Sequence, residues 1–483
     1  MVFSNSVFLF AFLPVALIVY YNPFIKNMGF RNFWLLVISL LFYAWGEPVY
    51  VLLMILSIIV NWALGLWEAG NKRTKKGKFI VLIACIYNLS QLFVFKYLGW
   101  VMGIFGSEGW FSKIMLPIGI SFYTFQALSY VIDVYRGKDE AQKSVFNVGL
   151  YIAFFPQLIA GPIVRYGSIA EQINSRKHSI NLFTDGVWRF IIGLSKKAIL
   201  ANQLAIVAEK AFALNPGELS VVFAWAGAFA FMLQIYFDFS GYSDMAIGLG
   251  KMFGFEFREN FNYPYISKSI SEYWRRWHIS LGEWFRDYVY YPLSLGPAIK
   301  IRKFFSDKVD KKTAALIANT FVLFVVWMTT GIWHGANWTF VVWGFIQFVC
   351  LFSEQHRKPM KNKKLGAAIG FVSTFLIVLL TKVIFNAKSM SAALAYYGSM
   401  LGLNANGFCD GYGLYWIDQY KFYLIAGFVL SFPVLEKISE FCQNKKIQPL
   451  WSCIQTIAMC VMLVLCMAYA IGGSYSPFIY FNF

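Results

Sequence analysis

A histidine lies in the middle of a long stretch of this chain that carries no Lys, Arg, Asp or Glu. The stretch covers residues 313–353, about twice the ~20 residues that a helix needs to cross a bilayer. We therefore expect two membrane helices that break at residues 331–338, where the sequence reads GIWHGANW and the histidine is His334. An ionisable group at membrane depth is costly, so function is its default interpretation. A neutral imidazole there could accept the proton of a hydroxyl group as a general base, and a structural hydrogen bond is the alternative.

A second histidine, His278, lies in the polar and aromatic segment 271–281, which reads SEYWRRWHISL. Helical spacing places Glu272 within reach of Arg275 and Arg276 and turns His278 toward the aromatic face. The segment is typical of an interfacial helix whose histidine is a polar tip, and the two histidines do not name a reaction by themselves. No GxSxG motif or Ser-His-Asp arrangement accompanies them, which disfavours a serine hydrolase.

Two carboxylates, Asp238 and Asp244, lie in another apolar segment. They could be the proton-relay or ion-binding groups of a transporter. They could equally pair with cationic residues on neighbouring spans, which is the interpretation that we favour. Inverted repeats would support a transporter, and the sequence shows none.

The composition is that of a membrane protein. Hydrophobic residues make up 59% and charged residues 14% of the 483 residues, whereas soluble domains are about a quarter charged. The chain is therefore predicted to be an all-α polytopic protein of the lipid bilayer. The net charge of +18 comes largely from basic clusters in short loops, which is typical of cytoplasmic loops and not of a nucleic-acid interface. Seven scattered cysteines form no CxxC pair, so neither a metal site nor a disulfide framework is expected.

The apolar segments predict about twelve membrane crossings, with both termini on the outer side. The predicted spans are residues 7–21, 31–46, 49–67, 79–100, 114–132, 365–385, 422–434 and 451–471, besides the two halves around His334. Of the further apolar segments 146–164, 187–214 and 221–249, one is expected to be only partly inserted, because an even number must cross. Residues 251–312 are expected to form cytoplasmic or interfacial helices, residues 474–483 an extracytoplasmic tail, and residues 1–483 a single domain.

Five segments together resemble the membrane-bound O-acyltransferase (MBOAT) family, in its bacterial branch of alginate O-acetyltransferases. They are LPIGISFYTFQ at 116–126, AGPI at 160–163, DFSGYSD at 238–244, WRRWHISL at 274–281 and GIWHGANW at 331–338. The resemblance covers the whole chain and implies a ring of helices with an outer funnel and a cytoplasmic tunnel. It also implies that His334 is the catalytic residue and His278 a second essential polar residue.

The resemblance implies a donor and a set of residues around it. The donor would be a cytoplasmic thioester, either acetyl-CoA or an acyl carrier protein thioester, with no bound cofactor, and the acyl group would cross the bacterial cytoplasmic membrane. Cationic candidates for donor binding are Arg258, Lys268, Arg275 and Arg276. Candidates for stabilising the oxyanion or orienting the donor are His278, Asn337, Trp333 and Trp277.

The C-terminal residues 477–483 (PFIYFNF) resemble a motif of surface-polymer acyltransferases in which the tyrosine, here Tyr480, is a candidate acyl shuttle. A secreted or membrane-anchored partner of the SGNH-hydrolase-like type would then pass the acyl group to a polysaccharide or cell-wall polymer. Tyr480 could instead be an interfacial aromatic anchor. The alternatives for the whole chain are a proton-coupled transporter or flippase, an acyltransferase that modifies a protein or lipid, and a scaffold that only recruits the partner.

Overall fold

The computed structural model describes residues 2–24, 26–106, 109, 114–159, 161–358, 360–403, 407–443, 447–472, 478 and 479. Regular secondary structure in these ranges is helical throughout, which confirms the all-α prediction. The chain forms two compact units, the first from residues 1–195, 241–259 and 461–482, and the second from residues 196–240, 260–460 and 483. The single domain over residues 1–483 stays a prediction.

Among its described residues, the first unit contains ten complete α-helices. They are α1 (Leu13–Tyr20), α2 (Met28–Gly46), α3 (Tyr50–Ala69), α4 (Lys75–Leu92), α5 (Leu98–Ile104), α6 (Ile120–Arg136), α7 (Val145–Ala153), α8 (Phe155–Leu158), α9 (Tyr166–Ser175) and α10 (Ile180–Ser195). Short π-helices at Phe8–Phe12 and Phe93–Tyr97 extend α1 and join α4 to α5. Inside this unit, the buried amides of Asn61 and Asn88 hydrogen bond to each other at 2.8 Å, which satisfies polar groups that the bilayer could not.

The second unit holds most of the remaining helices. They are α11 (Asn202–Ala213), α12 (Val221–Met252), α13 (Ile270–Arg276), α14 (Ile279–Phe285), α15 (Tyr291–Leu295), α16 (Pro297–Ser306), α17 (Lys311–His334), α18 (Trp338–His356), α19 (Lys363–Asn386), α20 (Met390–Met400), α21 (Gly411–Leu430), α22 (Val434–Gln443) and α23 (Gln448–Gly472). Helix α12 ends in the first unit, as does α23. Further π-helices lie at Lys196–Ala201 and Arg286–Tyr290, and 3₁₀ turns at Pro216–Glu218 and Pro264–Ile266.

Within the described ranges, eight helical segments are long and apolar enough to cross a membrane. They are Met28–Gly46, Tyr50–Ala69, Lys75–Ile104, Ile180–Ala213, Val221–Met252, Lys311–His334, Lys363–Asn386 and Gln448–Ile471. Helices α21 and α22 meet at a bend of 61° and would add a ninth. The chain is thus a multi-pass membrane protein, and the count of about twelve crossings stays a prediction.

Three predicted segments have a different form in the structure. The first span is a shorter apolar helix at Phe8–Tyr20. The segment 146–164 is broken into α7 and α8, in agreement with a partly inserted element. Between the predicted spans 365–385 and 422–434, where no element was predicted, α20 and the first half of α21 are helical. Tyr412, Tyr415 and other aromatic residues lower the hydropathy of this half of α21, and such residues are typical of membrane interfaces.

Helices α17 and α18 form a hairpin whose backbones touch. Asp310 begins α17 by accepting hydrogen bonds from the backbone N–H groups of Lys312 and Thr313, as N-cap residues do. A Cβ atom on Gly331 would lie 2.5 Å from the carbonyl oxygen of Phe340, and one on Gly344 would lie 2.6 Å from that of Trp327. Only glycine permits this approach, and it fixes the end of α17, where His334 lies.

Candidate functional site

His334 is the last residue of α17, and it is buried among aromatic rings. Its ring lies edge-on to Trp343 at 5.0 Å and to Phe385 at 5.2 Å between ring centroids, and 5.0 Å from the ring of Trp333. The helix break predicted around His334 is confirmed, because Gly335 is extended and α18 begins only at Trp338. The imidazole is therefore held in an apolar environment by rings from α17, α18 and α19.

His278 lies at a helix break that the sequence did not reveal. The predicted continuous helix over residues 271–281 is wrong, because α13 ends at Arg276 and α14 begins at Ile279. His278 has a left-handed backbone with φ 46°, which costs a non-glycine residue about 1–2 kcal/mol. The backbone N–H of Ile279 donates to the carbonyl of Asn260, and the N–H of Asn262 donates to that of Arg276, both at 2.9 Å. These bonds hold the strained backbone, a feature that clusters at functional sites.

The tautomer of His278 follows from its hydrogen bonds. Nδ1 lies 3.1 Å from Oδ1 of Asn260. That same oxygen accepts the backbone N–H of Ser280 at 3.2 Å and the Ser280 hydroxyl at 2.9 Å. An atom that accepts a backbone N–H is the amide oxygen, so Nδ1 must carry the proton and donate it. Burial lowers the pKa of His278 to about 3, which keeps the ring neutral and leaves Nε2 as a hydrogen-bond acceptor.

Trp333 connects the two histidines. Its ring centroid is 6.3 Å from that of His278 and 5.0 Å from that of His334. Trp277, the residue before His278, also belongs to this cluster. The Nζ atom of Lys382 lies over its ring, 4.3 Å from the centroid. The same Nζ lies 5.0 Å from the centroid of Phe385, the ring that contacts His334. Two imidazoles and one ammonium group thus share a single aromatic cluster.

Helix α18 fixes α13, the helix that leads into Trp277 and His278. The backbone N–H groups of Ile270 and Ser271 and the hydroxyl of Ser271 all donate to the carboxylate of Glu354. One helix turn further, the indole N–H of Trp274 donates to Oε1 of Gln347 at 3.1 Å. Because α18 directly follows His334 along the chain, these contacts set the position of His278 relative to His334.

Asn337 and Trp338 lie at the start of α18. Asn337 caps α18 by accepting the N–H of Thr339 at 3.1 Å, and its amide donates to the carbonyl of Lys388 at 3.0 Å. Trp338 is the first residue of α18 and is 54% exposed, whereas Trp333 is buried.

The predicted donor-binding cations lie at the surface. Lys268 and Arg275 are exposed in the second unit, and Arg258 is exposed in the first unit. Arg276 is partly buried and pairs with Glu272 at 3.0 Å; the predicted pairing of Glu272 with Arg275 does not occur among the described residues. Tyr480 lies outside the described residues.

Asp238 and Asp244 pair with basic residues, as favoured from the sequence. Asp238 lies 2.6 Å from Nζ of Lys197, and both side chains are at most 5% exposed. Asp244 lies 2.7 Å from the guanidinium of Arg189, which also meets Glu259 at 2.5 Å. Across the described ranges, no group of three His, Cys, Asp or Glu side chains could hold a metal ion.

Three residues of the site were not found from the sequence, namely Asn260, Glu354 and Lys382. Lys382 is a lone charge within the apolar segment 365–385, and the cost of a charge at that depth was a signal that could have identified it. Asn260 and Glu354 act across long sequence separations, and no local pattern marks them.

The chain has relatives along its whole length. The model of the membrane-bound O-acyltransferase family matches residues 140–387. A Pseudomonas putida protein named probable alginate O-acetylase AlgI is 36% identical, with 100% of both chains covered. Its namesake from Pseudomonas aeruginosa is 41% identical over 83% of this chain and 75% of its own. The peptidoglycan O-acetyltransferase of Helicobacter pylori is 29% identical over 100% of this chain and 98% of its own.

Proposed function

Because this chain belongs to the membrane-bound O-acyltransferase family, we propose that it moves an acyl group, in the simplest case acetyl, from a cytoplasmic thioester to a polymer outside the membrane. The observation that supports this most directly is the buried pair His334 and His278, which flank Trp333 in one unit. The names of its relatives describe O-acetylation of alginate and of peptidoglycan. A glycan is therefore the proposed class of acceptor.

We assign the general base to His334. A neutral imidazole in a water-poor environment can take the proton of an attacking hydroxyl and return it to the leaving thiolate. The aromatic rings of Trp343 and Phe385 pack against the imidazole in T-shaped geometry and would restrict its rotation. This preorganisation is what proton transfer in a fixed geometry requires.

We assign an orienting role to His278. Its Nδ1–H is committed to Asn260, so Nε2 can accept a hydrogen bond but cannot donate one to an oxyanion. Nε2 is suited to hold the hydroxyl group of the acceptor or an amide N–H of the donor. Asn337 serves as the N-cap of α18 in this proposal, and Trp333 separates the two imidazoles.

The acyl group would change sides of the membrane while the donor stays in the cytoplasm. Helix α17 starts at the basic residues Lys311 and Lys312 and ends at His334, and basic residues beside a span favour the cytoplasmic side. The exposed cations Lys268 and Arg275 of the same unit would attract the phosphates of coenzyme A or the acidic surface of a carrier protein. We place the chain in the bacterial cytoplasmic membrane with both termini outside.

The final transfer would need a second protein. In this proposal Tyr480 receives the acyl group on its phenol oxygen, and an extracytoplasmic partner of the SGNH-hydrolase-like type passes it to the glycan. Replacing Tyr480 with Phe retains an aromatic anchor and removes the nucleophile. Loss of surface esters in that variant would support the shuttle, and unchanged esters would refute it.

The reaction can be tested on the purified full-length chain in lipid nanodiscs. With radiolabelled acetyl-CoA, we expect release of coenzyme A and label on the protein, or on a soluble hydroxyl acceptor added to the solution. His334→Ala should abolish both, whereas Trp338→Phe, which alters an exposed residue, should not. Intact chain that consumes neither acetyl-CoA nor an acetylated carrier protein would contradict the proposal.

A further inference from the structure

A buried lysine contacts two aromatic rings of the cluster that holds the histidines. Lys382 is 4% exposed and lies one turn before the end of α19. Its Nζ atom is 4.3 Å from the ring centroid of Trp277, the residue before His278. It is also 5.0 Å from the centroid of Phe385, whose ring contacts His334. One aromatic residue, Phe385, therefore contacts both the ammonium group and His334.

Among the described residues, the surroundings of Lys382 supply aromatic faces and no counter-ion. Its contacts in the part of the chain that the structure describes are the two cation–π contacts, with no carboxylate and no hydrogen-bond acceptor at Nζ. Cation–π contacts compensate only part of the cost of burying a charge. By contrast, the buried Lys197 of the same unit pairs with the carboxylate of Asp238. A buried ammonium held by aromatic rings is suited to a negative charge that arises only during the reaction.

We propose that Lys382 stabilises the oxyanion of the acyl-transfer reaction, an inference that rests on the proposed function. The attacking hydroxyl oxygen forms a bond to the thioester carbonyl carbon, and the electron pair of the C=O double bond moves to oxygen. His334 takes the hydroxyl proton, and the ammonium of Lys382 donates a hydrogen bond to the new oxyanion. When the C=O bond forms again, the C–S bond breaks, and the thiolate takes the proton from His334.

The geometry favours Lys382 over the candidates predicted from the sequence. The tautomer of His278 presents an acceptor at Nε2, which would repel an oxyanion. The side chain of Asn337 caps α18 and binds the carbonyl of Lys388. A fixed cation in an apolar cluster stabilises developing charge more strongly than a solvated one does, because the local dielectric constant is low.

The test measures acetyl transfer from acetyl-CoA by purified chain in nanodiscs. Lys382→Met keeps the length of the side chain and removes its charge, and we expect kcat to fall by about 10²–10³-fold with little change in KM, as for loss of one oxyanion donor. Lys382→Arg should retain more of the rate than Lys382→Met does. Lys388→Met, which removes an exposed ammonium near the end of the same helix, is the matched control and should keep the rate.

Chemical rescue separates catalysis from packing. Lys382→Ala leaves space for a small amine, and propylammonium should raise its kcat with saturation, whereas neutral propanol should not. A Lys382→Met variant that unfolds at the same temperature as the intact chain and keeps its kcat within about threefold would overturn the inference. Loss of cooperative unfolding in both the Met and Ala variants would also overturn it, since Lys382 would then be a structural cation. Failure of the intact chain to transfer acetyl would instead contradict the proposed function itself.

Discussion

The ion pair between Asp238 and Lys197 gives a sharp prediction about stability. Its N–O distance is 2.6 Å, and the two side chains are 2% and 5% exposed. Replacing Asp238 with Asn removes this carboxylate charge from beside the buried ammonium of Lys197. Breaking a buried pair in this way costs about 3–5 kcal/mol. In a unit of about 250 residues, each kcal/mol lowers the unfolding midpoint by about 2–4 °C, so we expect a decrease of about 6–20 °C.

The chain contains a matched control for this substitution. Asp418 and Lys421 lie in the same unit at the same distance of 2.6 Å, but their side chains are 66% and 47% exposed. An exposed pair contributes about 0–1 kcal/mol, so Asp418→Asn should lower the midpoint by no more than about 4 °C. The two variants differ in burial and not in bond length, and their comparison isolates the effect of burial.

The assay is thermal unfolding of detergent-solubilised chain, followed by the fraction that elutes as a monodisperse peak after heating. The double variant Asp238→Leu with Lys197→Met removes both charges and should recover most of the loss, because apolar replacement of a buried pair is often neutral. An Asp238→Asn midpoint within about 2 °C of the intact chain would refute the reasoning. That result would favour a proton-relay role for Asp238, as a transporter requires.

Three further results are expected. Glu354→Gln should weaken the start of α13, because its amide can accept fewer of the three donors of Ile270 and Ser271; we expect a loss of about 1–3 kcal/mol and slower acetyl transfer in the nanodisc assay. Gly344→Ala should lower both midpoint and transfer, since its Cβ would lie 2.6 Å from a backbone oxygen, whereas Gly411→Ala meets nothing within 4 Å and should not. Finally, the pKa of His278 falls to about 3 in the folded chain from about 6.5 unfolded. The unfolded state therefore binds the extra proton, and lowering the pH from about 7.5 to 5 should cost about 2 kcal/mol of stability, a slope that His278→Gln should reduce.

The sequence predicted the parts of the molecule that local patterns determine. The uncharged stretch 313–353 gave two helices and a break at His334, because span length and a glycine-flanked turn are local properties. The break in segment 146–164 also has a local signal, because Pro156 lies in the first turn of α8 and proline interrupts a continuing helix. The number of crossings was harder to predict from the sequence. Helices α6 and α8 are shorter than a membrane span, yet they are apolar because they are buried within the first unit.

The parts that were missed depend on contacts between distant segments. The break at His278 exists because residues 260–262 bond to the backbone on both sides of it, and helical periodicity alone suggests an unbroken helix. The tautomer of His278 depends on Asn260 and Ser280, 20 residues apart along the chain. Trp333 and Trp338 both lie close to His334 in the sequence, and no local pattern distinguishes them. The hairpin of α17 and α18 buries Trp333 and leaves Trp338 exposed.

The most direct test of the account is the ester-linked acetate on the surface glycan of cells that carry either the intact chain or His334→Ala, with protein levels matched. Mild base releases this acetate for quantification, and Trp338→Phe serves as the control. The account predicts loss of the ester in His334→Ala and a normal amount in Trp338→Phe. An unchanged ester content in His334→Ala would contradict transfer chemistry at His334.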